Sequence, residues 1–374
     1  MNYQKTESII VSQFTISNDI LYYCSDNELG NSTVFSRNLK YKNTLWIVNI
    51  EGIGTIMNIY EDNLFIQDYN ANLFHINIKD SACSRNLSTA EWKITLSNKL
   101  TENNYLLGLK GKLMNREYGI YDLEKNSIFF STNQNLIGFT EANNIFIKNK
   151  TEIKCFSIEL RIILWQFSLS DLAKQYSSFT QNFVQGEVWR FMGVIDNILW
   201  VDINYVGKGG ALLGLDVVTG LPVHFLNELV FQNEISSYLV EGLPLNAFTQ
   251  YDKDKNILFG TDTYFYWEID LSSPTHIKMW SFEEELKKYQ ASFARDTTTY
   301  TTTKSHIFSI TGRFGETFSS QVFAFNRETH KIDWHYKFND LDAYVRPIKV
   351  ETTENNLFVL DSGGTLHIFE KENE

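Results

Sequence analysis

Recognisable chemistry in this chain would have to run through seven histidines, three cysteines and one glycine-rich segment with a lysine. A metal site needs ligands that converge, which usually shows in sequence as close paired spacing. His75, His224, His276, His306, His330, His335 and His367 are instead scattered along the chain. His330 and His335 lie across one hairpin turn, where both are expected to be exposed. Cys24, Cys83 and Cys155 are far apart and contain no Cys-x-x-Cys pair, so they outline neither a disulfide framework nor a zinc knuckle. Residues 206–210, Val-Gly-Lys-Gly-Gly, join two predicted strands and lack the Gly-Lys-Ser/Thr opening of a helix that a phosphate-binding loop requires. They read as a hairpin tip. No nucleophile elbow and no His-Glu-x-x-His motif occurs. The sequence therefore assigns no catalytic, cofactor-binding or metal-ligating residue, and it leaves the partner-binding residues unknown.

Composition narrows the function classes. The net charge is −12, from 45 acidic and 33 basic residues. Nucleic acid and anionic membrane are disfavoured as general partners, because binding phosphates needs clustered Lys and Arg. The acidity fits solubility or a basic protein partner. Ile9, Ile10 and Val11 form only a short apolar patch near the start, and no lipid-anchor cysteine lies there. No run reaches the roughly 7–15 apolar residues of a signal core, or the ~20 of a membrane span. The expectation is a cytoplasmic monomer without a membrane span.

The elements that would position any site are strands. Aromatic residues make up 15% of the chain, with 28 Phe and 19 Tyr, a composition suited to half-buried pleated surfaces. Four prolines and no Pro/Gly/Ser-rich linker point to one domain over 1–374. A polar turn followed by an apolar strand recurs eight times. It starts at Asn18-Asp19, Asp62-Asn63, Asn103-Asn104, Asn143-Asn144, Asp196-Asn197, Lys255-Asn256, Ser305-His306 and Asn355-Asn356. The spacing, roughly 40–60 residues, is that of propeller blades. Asn and Asp tolerate a left-handed backbone and make tight turns.

A second unit follows most copies: an alternating strand, a turn opened by Asp or Asn (Asp122, Asp216, Asp270, Asn326), then a strand with an aromatic residue. That aromatic recurs as Trp46, Trp92, Trp165, Trp280 and Trp334, with Phe129 and His224 in two weaker copies. These side chains are expected to pack between neighbouring blades.

The two-part pattern resembles the quinoprotein-like repeat, in which an apolar strand precedes Asp-x-x-Thr-Gly and then Trp. Asp216-Val217-Val218-Thr219-Gly220 is the best match, and Trp165 and Trp334 stand at the docking position. The resemblance implies an all-β, eight-bladed propeller of four-stranded blades, with seven blades as the alternative. The chain ends before an outer strand of its last blade, and Ser8–Val11 is positioned to supply it.

The resemblance also raises a quinone cofactor. Dehydrogenases of that class close over it with adjacent cysteines and use an Asp base beside calcium. No two cysteines are adjacent here, and no cofactor is expected.

Three stretches, 169–187, 227–245 and 283–295, do not read as strands, and each falls between one blade and the next. The last offers a short helix, with Glu284–Lys288 at i,i+4 and Phe282, Leu286 and Tyr289 on one face. Such long connections suit a binding lip. The expected function is a non-enzymatic protein-binding scaffold, of the inhibitor or immunity type or analogous to the outer-membrane assembly scaffold of the same repeat. The alternative is an enzyme or carbohydrate binder of the hydrolase or lyase type, using the channel mouth.

Overall fold

A computed structural model describes residues 1–372, apart from 61, 71, 87–91, 96–104, 111–116, 123–124, 126, 133–136, 142–143, 158, 172–185, 206–208, 227, 233–236, 242–248, 263, 275–276, 290–299, 311–320 and 340–344. Among the described residues the strands form eight sheets, seven of four strands and one of six. This is the architecture of an eight-bladed β-propeller. Every blade is an antiparallel meander, except that the last takes its fourth strand from the other end of the chain. There Tyr3–Ile10 pairs with Thr365–Lys371, placing Ser8 opposite His367 and Ile9 opposite Leu366. The expected closing strand is thus real and begins five residues earlier than Ser8.

The chain divides into two compact units. One comprises residues 11–198 and 216–221. It holds blade one (Gln13–Ser17 to Asn43–Ile50), blade two (Gly54–Tyr60 to Cys83–Asn86), blade three (Trp92–Thr95 to Ser127–Thr132) and blade four (Ile137–Glu141 to Ile163–Ser168). The other comprises 1–10, 199–215 and 222–374. It holds most of blade five, blade six (Thr249–Asp252 to Ile277–Ser281), blade seven (Tyr300–Thr302 to Lys331–Lys337) and blade eight.

Two of the repeated turns take the left-handed backbone that their residues allow. Asn18 and Asp19 have φ of 47° and 60°, and Asp196 and Asn197 have 51° and 62°. Two consecutive left-handed residues make the hairpin turn whose twist matches the strands. In the second turn the Asx side chain accepts from the amides that follow. Asp216 Oδ1 takes the Val218 and Thr219 amides at 3.1 and 2.8 Å and the Thr219 hydroxyl at 2.8 Å. Asn326 and Asn77 bond their following amides in the same way. Four residues after the Asx position the chain must again turn left-handed. Gly220 does so with φ 70°, but Lys42, Ser81, Arg161 and His330 hold the same place with φ of 54–58°. A left-handed residue with a Cβ costs roughly 1–2 kcal/mol. Arg161→Gly, at an exposed tip whose amide donates to Ser157 O, should therefore stabilise the protein by about 1 kcal/mol in urea unfolding.

Three expectations need correction. Trp92 is not in a closing strand; it opens blade three, opposite Lys110. In blade three the docking position is held by Phe130, not Phe129. Phe130 lies opposite Ile120, just before a β-bulge, as Trp165 lies opposite Cys155 and Trp334 opposite Ala324 before theirs. The stretch 227–245 contains a hairpin, Glu228–Gln232 with Ser237–Glu241, whose first strand runs parallel to Ile277–Ser281 and extends blade six outward. Of 169–187, residues 169–171 begin a helical turn and 172–185 lie outside the described residues.

The helix expected after Phe282 spans Glu283–Lys288, with Leu286 fully buried. Its ion pairs are Lys287–Glu283 and Lys288–Glu285, at 2.6 and 2.8 Å, in place of the expected Glu284–Lys288. The inner strand of blade seven is Tyr300–Thr302.

Candidate functional site

Blade four and the hairpin tip of blade five meet through one tryptophan. Trp165 Nε1 donates to Val217 O at 2.7 Å, and the indole lies flat on Gly220. A Cβ at Gly220 would stand 2.5 Å from Trp165 Cδ2 and Cε3, so the Thr-Gly of the signature is the seat of the docking ring. The first unit repeats the bond where Trp46 Nε1 donates to Ile78 O at 3.1 Å, Ile78 being the residue after the Asx position Asn77.

Around the Trp165 clasp the surface is apolar. Leu160 is 61% exposed and Val218 76%, and Ile162, Ile163, Leu164 and Leu221 are exposed beside them. Within 157–168 the only charged residues are Glu159 and Arg161, and 217–221 carries none, in a chain of net charge −12. Exposed apolar side chains gathered on two bonded tips are the kind of surface that proteins use for interaction. The sequence signal was present but unused. Ile162-Ile163-Leu164 is a run of three apolar residues at a strand start, where half-buried alternation would place a polar one.

The six described histidines are each spent on local packing. His75 Nε2 meets Asn63 Oδ1 at 2.7 Å, and its ring stacks on Phe65. His224 stacks on Trp200 at 5.4 Å. His306 bonds Asp333 at 2.9 Å, and His367 bonds Asp361 at 2.8 Å. Burial would raise the Asp361 carboxyl, but His367 and the Thr365 and Gly363 amides hold it below the usual range. His276 lies outside the described residues. Contrary to expectation, His330 is half-buried. It sits 5.0 Å from Trp280 and 5.2 Å from Phe282, in the place Gly220 takes against Trp165. His335 is exposed, as expected, and packs on Tyr289.

Burial lowers the pKa of His330, with Glu268 opposing. A histidine whose folded pKa is depressed binds fewer protons than the unfolded chain, so stability falls as pH drops below about 6.5. His330→Gly should flatten the loss of stability between pH 7 and pH 5, measured as urea midpoints.

A buried cation, Arg327, escaped the sequence reading. Arg327 Nη1 donates to Asp252 Oδ2 at 2.9 Å and Lys304 O at 3.2 Å, and Nε donates to Tyr266 Oη at 3.1 Å. Its guanidinium lies 3.7 Å over the Phe259 ring, and Tyr266 in turn donates to Glu268. This network binds blade seven to blade six.

No family model matches the sequence, and no curated protein matches it. Solved structures do. BamB from Moraxella catarrhalis aligns over 99% of this chain and 100% of its own, at 11% identity and a TM-score of 0.55. Sqt1 from Saccharomyces cerevisiae gives 10% identity and 0.59, with 99% and 98% covered. The quinohemoprotein alcohol dehydrogenase from Comamonas testosteroni gives 9% and 0.51, with 99% and 77% covered. What this chain shares with these structures is the β-propeller fold.

The quinone cofactor that the sequence resemblance raises is held in that class by a pair of adjacent cysteines, and the three cysteines here do not supply one. Cys24 is buried against Met57, with sulfurs 3.6 Å apart, and Cys155 is buried opposite Trp165. Burial pushes both thiols up to about 12, so neither is a reactive thiolate. Cys83 is exposed and alone. Among the described residues no three His, Cys, Asp or Glu side chains converge to hold a metal ion, and no helix is long and apolar enough to cross a membrane.

Proposed function

We propose that this quinoprotein-like propeller is a non-enzymatic protein-binding scaffold. Its partner docks on the apolar surface around the Trp165 clasp. The observation that carries this reading is the exposure of Leu160, Ile162, Ile163, Leu164, Val218 and Leu221 on two tips joined by a rigid contact. Protein interfaces combine an apolar centre with a polar rim, and the six side chains supply such a centre. The net charge of −12 favours a partner with basic surface around its contact, since complementary charge speeds encounter. A monomeric cytoplasmic inhibitor or immunity-type protein fits this combination of acidity, rigid fold and unassigned chemistry.

The reading is tested by capture from the protein's own cells with wild type and with Leu160→Lys/Val218→Lys. Both positions are exposed, so the variant should keep its unfolding midpoint within about 0.5 kcal/mol. It should lose the partner. Equal capture by both forms would move the site elsewhere.

A further inference from the structure

Resting on that reading, we infer that the outer edge of blade four, Ile163–Ser168, takes up an extended apolar segment of the partner as a fifth strand. The fourth strand of a blade ends its sheet, and Ile163–Ser168 is the edge strand of blade four. A sheet edge presents a row of backbone donors and acceptors to any strand that can lie beside it. The chain itself shows the edge being used. In blade six the corresponding strand, Ile277–Ser281, is covered by Glu228–Gln232 in parallel register, with Leu229 opposite Ile277 and Phe231 opposite Met279. What occupies a blade's outer edge in this protein is a five-residue strand with three apolar residues at its centre.

Among the described residues, blade four has the same edge without a cover. Its strand Ile-Leu-Trp-Gln-Phe-Ser contains no charge and no proline, two devices by which exposed edges are usually guarded. By contrast the outer strand of blade seven carries Lys331, Asp333 and Lys337, that of blade eight carries Lys5 and Glu7, and that of blade five opens on Pro222. The edges of blade one, Asn43–Ile50, and blade three, Ser127–Thr132, are also uncharged. Blade four differs in that Trp165, within this strand, bonds the next tip at Val217, which brings the exposed Val218 and Leu221 of that tip to the same blade edge. The local neutrality matches an apolar strand. The chain's overall acidity acts at longer range, on the rest of the partner.

The probe is a fluorescein-labelled peptide with the sequence of residues 226–233 of this chain, titrated with the full-length protein and followed by anisotropy. Saturable binding is expected, weakened at least tenfold by Ile163→Lys/Leu164→Lys and unchanged by Leu45→Lys/Ile47→Lys on blade one. Two further peptides, N-methylated on alternate amides in one frame or the other, keep the side chains but block one backbone edge each. One of the two should fail to bind. Absence of binding, equal binding by both methylated peptides, or loss on the blade-one variant instead would overturn strand addition at blade four. In the second case the patch still docks a partner through side chains, so capture by the apolar surface survives independently. A concentration-dependent dimer in sedimentation velocity that is abolished by Ile163→Lys/Leu164→Lys would assign the edge to a second copy of this chain and overturn the proposal.

Discussion

Asp252→Ala is expected to cost about 3 kcal/mol in equilibrium urea unfolding, the lower end of the range for breaking a buried ion pair. Asp252 is the carboxylate partner of Arg327, and their side chains are only 11% and 2% exposed. Removing the carboxylate leaves a guanidinium that water cannot reach, held only by Lys304 O, the Tyr266 hydroxyl and the Phe259 face. The penalty is that of the stranded charge, not of the lost attraction. Arg327→Met/Asp252→Leu should accordingly recover most of the loss, because an apolar pair of similar volume has no charge to desolvate. A double variant as unstable as the single one would show that the network contributes by geometry, not charge.

The second large effect lies at Gly220. Gly220→Ala places a methyl group 2.5 Å from the Trp165 ring on a backbone with φ 70°. Left-handed strain contributes roughly 1–2 kcal/mol and overpacking roughly 1–3, so a loss of about 3 kcal/mol is expected. Gly30→Ala is the control. It has φ 77°, but nothing lies within 4 Å of the added carbon, so it should lose only the backbone part. If both variants lose the same amount, the ring does not press on Gly220. In a Trp165→Ala background the packing part of the Gly220→Ala cost should vanish, a non-additivity expected only of touching residues.

The sequence was most legible where local chemistry dictates the backbone. Asn18-Asp19 and Asp196-Asn197 announced their hairpins because few other residues accept two left-handed conformations in succession. Asp216 and Thr219 announced the second turn because their side chains close it. The docking aromatics were legible where they are tryptophans in a closing strand. They were misplaced where the copy is weak: Trp92 opens its blade, and a bulge shifts the docking position from Phe129 to Phe130. A one-residue bulge reverses which side chain faces the neighbour, and no local residue type signals it.

The candidate site was less legible for a different reason. Long connections between blades drew attention as a lip, whereas 227–245 contains a hairpin that pairs on a blade edge. Strand addition depends on an edge being free, which is a property of the assembled sheet. Likewise Arg327 reads in sequence as one more hairpin-tip cation, and only the packing of blade six against blade seven buries it. The apolar patch joins residues nearly sixty positions apart, Leu160 and Val218, through a tryptophan between them in sequence.

The most direct test of the docking surface is site-specific photo-cross-linking in the protein's own cells. A photoreactive side chain would be placed at Leu160 or Val218, and for comparison at Tyr69, which is exposed outside the patch. The same partner protein should be cross-linked from both patch positions and not from Tyr69. Cross-links from Tyr69 alone, or different proteins from Leu160 and Val218, would contradict a single partner seated on the Trp165 clasp.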